Sequence, residues 1–166
     1  MPQDLESQII RLLTRRQQTL ALAESCTGGY IAHRLTNVPG ASVVFLAGLV
    51  TYSDQAKRKF LKVSAASLKQ HGAVSEAVAR EMAEGARRAC GADYALSVTG
   101  IAGPGGGTPG KPVGTVFIGL ASAKKTWAFR RFNPGDRLAF KQTTSDQALK
   151  ELRAILTSDD RHEASK

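Results

Sequence analysis

The sequence predicts a single layered α/β domain with a mixed sheet flanked by helices, and three observations carry that expectation. Short apolar runs at 19–24, 43–52 and 94–99 alternate with segments of helical periodicity. Two further strand-like runs, 113–121 and 126–132, flank Lys124-Lys125 and read as a hairpin, so part of the sheet is antiparallel. The chain has 166 residues, 42% hydrophobic and 22% charged, which suits one domain with its own core and no disulfide or metal staple.

Each element follows from local chemistry. Leu5, Ile9, Leu12 and Leu13 share one helical face, and Asp4 is placed to cap that helix. Residues 19–24 read as a short strand, and 27–38 as a helix stopped by Pro39-Gly40. The run 43–52, with its β-branched and aromatic residues, reads as a buried strand. Helical patterns resume at 54–61 and 64–70. A longer helix follows, with Ala79, Met82, Ala83, Ala86 and Cys90 on one face, Ser75 as its cap and Gly91 as its end. After the strand at 94–99 comes a glycine- and proline-rich loop at 100–112, then the hairpin. A last helix at 136–156 buries Leu149, Leu152 and Leu156, and the polar tail 158–166 is expected to fray.

Composition excludes several classes. No apolar run approaches the roughly 20 residues of a membrane span. The acidic, polar start Met1-Pro2-Gln3-Asp4-Leu5-Glu6 does not read as a signal peptide. Two cysteines, Cys26 and Cys90, form no disulfide framework, so a cytoplasmic location is expected. The net charge of +9 attracts anions, yet it is spread along the chain and only 6% of residues are aromatic. A solvated basic surface is the expectation, with no specific nucleic-acid partner.

Two segments concentrate chemistry. The loop 100–112 holds six of the sixteen glycines. Gly105, Gly107 and Gly110 satisfy G-x-G-x-x-G formally, but a strand follows where a dinucleotide fold needs a helix. A Walker A match fails at Pro112, where a hydroxyl is required. Two readings stay open: an anion cradle of unobstructed N–H groups, or a surface connection. The other segment, Ala23-Glu24-Ser25-Cys26-Thr27-Gly28-Gly29, is a strand-to-helix junction. Ser25 there is either a nucleophile whose oxyanion the helix start stabilises or, with Thr27, a simple cap. Cys26 is either an activated thiolate or a small buried residue.

A serine nucleophile needs a base. His33, His71 and His162 are scattered, and no cluster has metal-ligand spacing. Lys57, in Thr51-Tyr52-Ser53-Asp54-Gln55-Ala56-Lys57, is the remaining candidate. It acts as a base only when neutral, which requires burial or neighbouring cations such as Arg58. The alternative is an ordinary solvated helix residue.

Five ordered segments resemble the CinA C-terminal domain family: 23–29, 51–53, Gly72-Ala73-Val74-Ser75-Glu76, Ser97-Val98-Thr99-Gly100-Ile101-Ala102-Gly103-Pro104 and Lys111-Pro112-Val113-Gly114-Thr115-Val116. The resemblance implies a stand-alone amidase domain at 1–157 with the tail at 158–166. It implies metal-free and cofactor-free hydrolysis of nicotinamide mononucleotide to nicotinic acid mononucleotide and ammonia. The family's catalytic serine, tyrosine and lysine match Ser25, Tyr52 and Lys57, with backbone N–H groups at Thr27, Gly28 and Gly29 expected to hold the oxyanion. Thr99, Gly100, Gly103, Gly105, Gly106 and Arg137 are the expected substrate contacts. Asp54 stands where the family commonly has asparagine, and its charge acts to raise the Lys57 pKa. Lys141 stands where arginine is expected and keeps the charge without the fork geometry. A homo-oligomer, most simply a symmetric dimer, is expected. Competing readings are a Cys26 nucleophile, a non-catalytic nucleotide-binding module, and a competence or DNA-damage factor that binds nucleic acid.

Overall fold

In the computed structural model, which describes residues 4–163, helix α1 (Leu5–Arg16) begins as the sequence predicts. Asp4 Oδ1 accepts from the Ser7 amide at 2.7 Å and satisfies one of the orphan donors of the first turn. Strand β1 (Leu20–Glu24), helix α2 (Tyr30–Thr36), strand β2 (Phe45–Val50) and helices α3 (Asp54–Leu61), α4 (Ala65–His71) and α5 (Glu76–Cys90) follow. Strands β3 (Tyr94–Gly100), β4 (Thr115–Ser122) and β5 (Thr126–Phe132) and helix α6 (Arg137–Glu163) complete the described chain.

The five strands form one mixed sheet in the order β2-β1-β3-β4-β5. Strand β1 pairs in parallel with β2 and β3, while β3, β4 and β5 pair antiparallel. Leu20 and Leu22 of β1 point into the larger core with Leu96, Leu13, Leu35, Phe140 and Leu152, so α1, α2 and α6 cover that face. Ala21 and Ala23 point the other way, joining Ala95, Leu61, Val78 and Met82 beneath α3 and α5. The alternation Leu-Ala-Leu-Ala therefore sets a thick core on one face and a thin one on the other. The thin face lets α5 approach closely. A Cβ on Gly119 would lie 2.2 Å from the Ala79 carbonyl oxygen, and one on Gly85 only 1.9 Å from that of Leu61. Ser97 Oγ donates to the same Ala79 carbonyl at 2.6 Å.

Three elements differ from the sequence expectation. The helix expected at 27–38 starts at Tyr30, because Gly28 and Gly29 adopt φ of +59° and +95° and form a turn instead. The strand expected at 43–52 begins at Phe45 and is not buried throughout. As an edge strand it has one neighbour, and its residues alternate between half-buried and exposed. Helix α6 runs to Glu163, past the expected end at Leu156, and Tyr94 OH donates to Asp159 Oδ2 at 2.6 Å across to it. Residues 164–166 of the expected tail lie outside the described residues.

Close helix-to-sheet contact makes Gly119 a sensitive position. Gly119→Ala should lower the urea midpoint, with a loss of about 1–3 kcal/mol for an added methyl against backbone. An unchanged midpoint would show that α5 moves away freely.

Candidate active site

The parallel strands β2, β1 and β3 all end at one edge of the sheet. Helix α2 leaves β1 on one face, whereas α3 to α5 connect β2 to β3 on the other. The strand order thus reverses at β1, and such a switch point opens a crevice beyond the carboxyl ends of the strands. Ser25 follows β1 there, Thr51 follows β2, and Gly100 closes β3.

The turn carrying Ser25 is held from below. Gly29 caps α2 without a side chain, and the buried Glu24 carboxylate replaces that missing cap. Its Oε2 accepts from the amides of Gly29 at 3.1 Å and Ile31 at 3.2 Å, and its Oε1 from Ala32 at 2.8 Å. An anion at a helix start is also favoured by the helix dipole. The Ser25 amide donates to Val98 O at 3.0 Å, which ties the turn to β3.

Lys57 sits one turn into α3, whose cap Ser53 accepts from the Ala56 amide at 3.1 Å. Lys57 is only 2% exposed although it borders the cleft, so the ammonium is largely stripped of water. Nζ donates to Ser25 Oγ at 3.0 Å and to Thr51 O at 2.9 Å. Among the described residues Lys57 forms no ion pair. Burial lowers its pKa; the charge of Asp54 opposes that shift, and burial prevails. Cys26 has the opposite fate. Burial pushes its thiol up to about 12, despite its position after the strand, so it stays protonated.

A cleft of about 290 Å³ joins these groups to the glycine-rich loop. Of the residues expected from sequence, Ser25, Tyr52, Lys57, Thr99, Gly100, Gly103, Gly105, Gly106 and Arg137 all line it. Thr99 Oγ1 donates to Ala73 O at 2.8 Å, so its hydroxyl anchors the wall rather than facing a ligand freely. Tyr52 is 63% exposed at the rim and makes no hydrogen bond to Ser25 or Lys57. Its hydroxyl accepts from Arg137 Nη1 at 3.4 Å, and Arg137 Nη2 donates to Gly103 O. The loop itself is tied down: Arg130 Nη2 donates to Gly110 O at 2.8 Å and Lys111 Nζ to His71 O at 2.6 Å.

Thr27, Gly28 and Gly29 do not line the cleft, which corrects the expected oxyanion donors. Thr27 is wholly buried. The Gly28 amide is spent on Ser25 O at 3.1 Å and the Gly29 amide on Glu24. The amides of Cys26, Ala102 and Gly103, all from residues on the cleft wall, make no backbone hydrogen bond among the described residues. Lys141 Nζ lies against the back of the turn, 3.4 Å from where a Cβ of Gly28 would be. Glu24 and the Thr51 carbonyl were missed as site-forming groups. A carboxylate just ahead of a turn that offers no capping side chain was the available signal for Glu24.

The profile of the CinA C-terminal domain matches residues 2–156. The chain belongs to the CinA C-terminal domain family. A CinA-like protein of Chlorobaculum tepidum is 54% identical over 153 residues, which cover 89% of this chain and 36% of that relative. The chain thus spans about a third of the length of that curated relative. Among solved structures, the competence damage-inducible protein A of Klebsiella pneumoniae superposes with a TM-score of 0.89 at 38% identity. That match covers 92% of this chain and 95% of the other. The competence/damage inducible protein CihA of Agrobacterium tumefaciens gives 0.87 at 39% identity, covering 93% and 97% of the two chains.

The burial of Cys26 is directly measurable. Iodoacetamide at mildly alkaline pH should leave Cys26 unmodified in the folded protein and label it once urea is added. Labelling of Cys26 at the rate of a free thiol in the folded state would contradict its burial and protonation.

Proposed function

We propose that this domain hydrolyses the carboxamide of a pyridine nucleotide, converting nicotinamide mononucleotide to nicotinic acid mononucleotide and ammonia. The observation that carries the reading is the buried Lys57 Nζ at 3.0 Å from Ser25 Oγ, with no carboxylate paired to it. A lysine so desolvated is disposed to be neutral and to act as a general base, and a serine within hydrogen-bond reach is its natural acid.

In this mechanism neutral Lys57 takes the Ser25 proton while Oγ bonds to the amide carbon. The carbonyl oxygen becomes an oxyanion, held by the amides of Ala102 and Gly103 on the cleft wall. Lys57 returns the proton to the amide nitrogen, the C–N bond breaks and ammonia leaves. Water, deprotonated by Lys57, then attacks the ester carbon and releases the carboxylic acid and Ser25. Arg137 lines the rim and is available to the phosphate, exchanging its contacts to Tyr52 and Gly103 for a charge-assisted pair. Tyr52 contributes by orienting Arg137 and bordering the ring site.

The protonated thiol of Cys26 disfavours the cysteine version of the chemistry. A purely binding role leaves the burial of an unpaired ammonium beside a serine without a purpose.

Purified protein treated with EDTA should release ammonia from nicotinamide mononucleotide. Ser25→Ala and Lys57→Ala should each lose at least about 10²–10⁴-fold in kcat, the usual contribution of a general base or its partner. Undiminished turnover by Ser25→Ala would sink the mechanism, and Cys26→Ala should stay active.

The rate should rise with pH through the lowered Lys57 pKa, because only the neutral amine accepts the proton. Asp54 holds that pKa up, so Asp54→Asn should move the rising limb of kcat/KM to lower pH. A limb that stays in place or moves upward would disconnect it from Lys57. Arg137→Ala should raise KM far more than it lowers kcat, and an unchanged KM would remove it from phosphate binding.

A further inference from the structure

A second basic site lies away from the cleft. Helices α1 and α6 border a groove of about 690 Å³ into which Arg11, Arg15 and Arg153 converge, with Leu12 between the helices and Gln8 and Thr157 at its sides. Its volume suits a nucleotide-sized ligand. Arg153 follows Arg137 in the same helix by roughly 24 Å along the axis, so this groove and the catalytic cleft are separate places.

No described carboxylate forms an ion pair with the three guanidinium groups, although Arg11 is near enough to help lower the Asp4 pKa. Arg11 and Arg15 make no hydrogen bond or ion pair among the described residues. Arg153 Nη1 donates to the neutral Gln8 Oε1 at 2.9 Å, which orients the fork and leaves its Nε and Nη2 edge for a ligand. The described carboxylates on these helices are committed elsewhere. Glu6 and Asp146 clamp Arg34, Glu151 holds Arg131, and Asp159 accepts from Tyr94. Asp4 and Asp136 cap the two helix starts, accepting from Ser7 and Ala139. Arg11 and Arg15, four apart on α1, repel each other, and no ion pair offsets that repulsion.

We propose that the α1/α6 groove is a second anion-binding site that takes a linear di- or triphosphate group. Three convergent cations match an anion of several charges better than a single phosphate, and forked guanidinium groups match phosphate oxygens in pairs. Neighbouring apolar surface at Leu12 and Ala154 leaves room for a nucleoside beside the phosphates. The proposal is independent of the amidase reading.

Calorimetric titration with inorganic tripolyphosphate, ATP and orthophosphate, at constant near-physiological ionic strength, tests it. Tripolyphosphate should bind more tightly than orthophosphate. The triple variant R11Q/R15Q/R153Q should bind about tenfold or more weakly, the equivalent of losing one charge-assisted pair, with nucleotide amidase activity unaltered. R11Q/R15Q leaves the Arg153–Gln8 contact intact and should also lose affinity, which separates binding from folding. Equal affinity for ATP and tripolyphosphate assigns the phosphate chain alone, and tighter ATP adds nucleoside contacts. Three results would overturn the proposal: equal affinity in both variants, loss of binding in Arg137→Ala instead, or binding confined to DNA duplexes and strengthening with duplex length.

Discussion

The structure turns on one electrostatic constraint, the burial of the Lys57 ammonium without a carboxylate. Removing a charge from water costs several kcal/mol unless hydrogen bonds replace its hydration. Two acceptors do so, Thr51 O and Ser25 Oγ, and they come from different strands. Their adjacency depends on the β1/β2 register, in which Glu24 pairs with Val50 and the Thr51 amide donates to Glu24 O at 2.9 Å. A one-residue slip would turn the side chains of β2 to the opposite faces and separate the two acceptors. Because burial lowers the Lys57 pKa, the unfolded chain binds this proton more tightly than the folded one. Lys57 therefore makes stability rise with pH, between its lowered value and the ordinary lysine range, and the penalty is largest when the amine is protonated in both states.

Glu24 solves the complementary problem. Two glycines with positive φ make the turn that presents Ser25, and a turn of glycines has no side chain with which to cap the next helix. Placing a carboxylate at the end of β1, under the turn, supplies three acceptor contacts and a charge of the sign the helix start favours. The same arrangement consumes the amides of Gly29, Ile31 and Ala32. Oxyanion donors must then come from elsewhere on the cleft wall, and the glycine-rich loop brings Ala102 and Gly103 there.

What could be read in advance follows this division between local and long-range causes. Caps at Asp4, Ser53 and Ser75 act on amides three residues away, so residue type and spacing reveal them. The alternation in β1 and the hairpin at β4–β5 are equally local. The contact between Lys57 and Ser25 crosses 32 positions, and nothing in either neighbourhood distinguishes a buried lysine from a solvated one. Elimination of the histidines left Lys57 as a candidate base for Ser25, and the family resemblance made that pairing the favoured reading. The exposure of β2 likewise depends on its place at the sheet edge, a topological fact absent from its composition, which reads as buried. Thr27 to Gly29 were expected to serve the oxyanion because a helix start has free amides. The buried Glu24 had already taken part of that supply.

The charge of +9 is better understood as a distribution than as a total. Arg34 and Arg131 face carboxylates on other elements and stitch α2 to α1 and α6 and β5 to α6, while Arg80, Arg87 and Arg88 pair within α5. Lys57 is buried, and burial lowers its pKa from the ordinary lysine value. Cations without an ion pair among the described residues include Arg58, Lys59, Lys62 and Lys69 around α3 and α4 and Lys111, Lys124, Lys125 and Arg130 in the loop and hairpin, and beside them Arg11, Arg15, Arg137, Arg153 and Lys141. Arg137, Lys141 and Arg153 separate along α6, Arg137 and Lys141 beside the cleft and the Ser25 turn, Arg153 beside α1. Acidic residues neutralise arginines where α2 meets α1 and α6 and where β5 meets α6, most of the remaining cations form a solvated basic surface, and Arg137 at the cleft and Arg11, Arg15 and Arg153 at the α1/α6 groove are the ones that border a concave site.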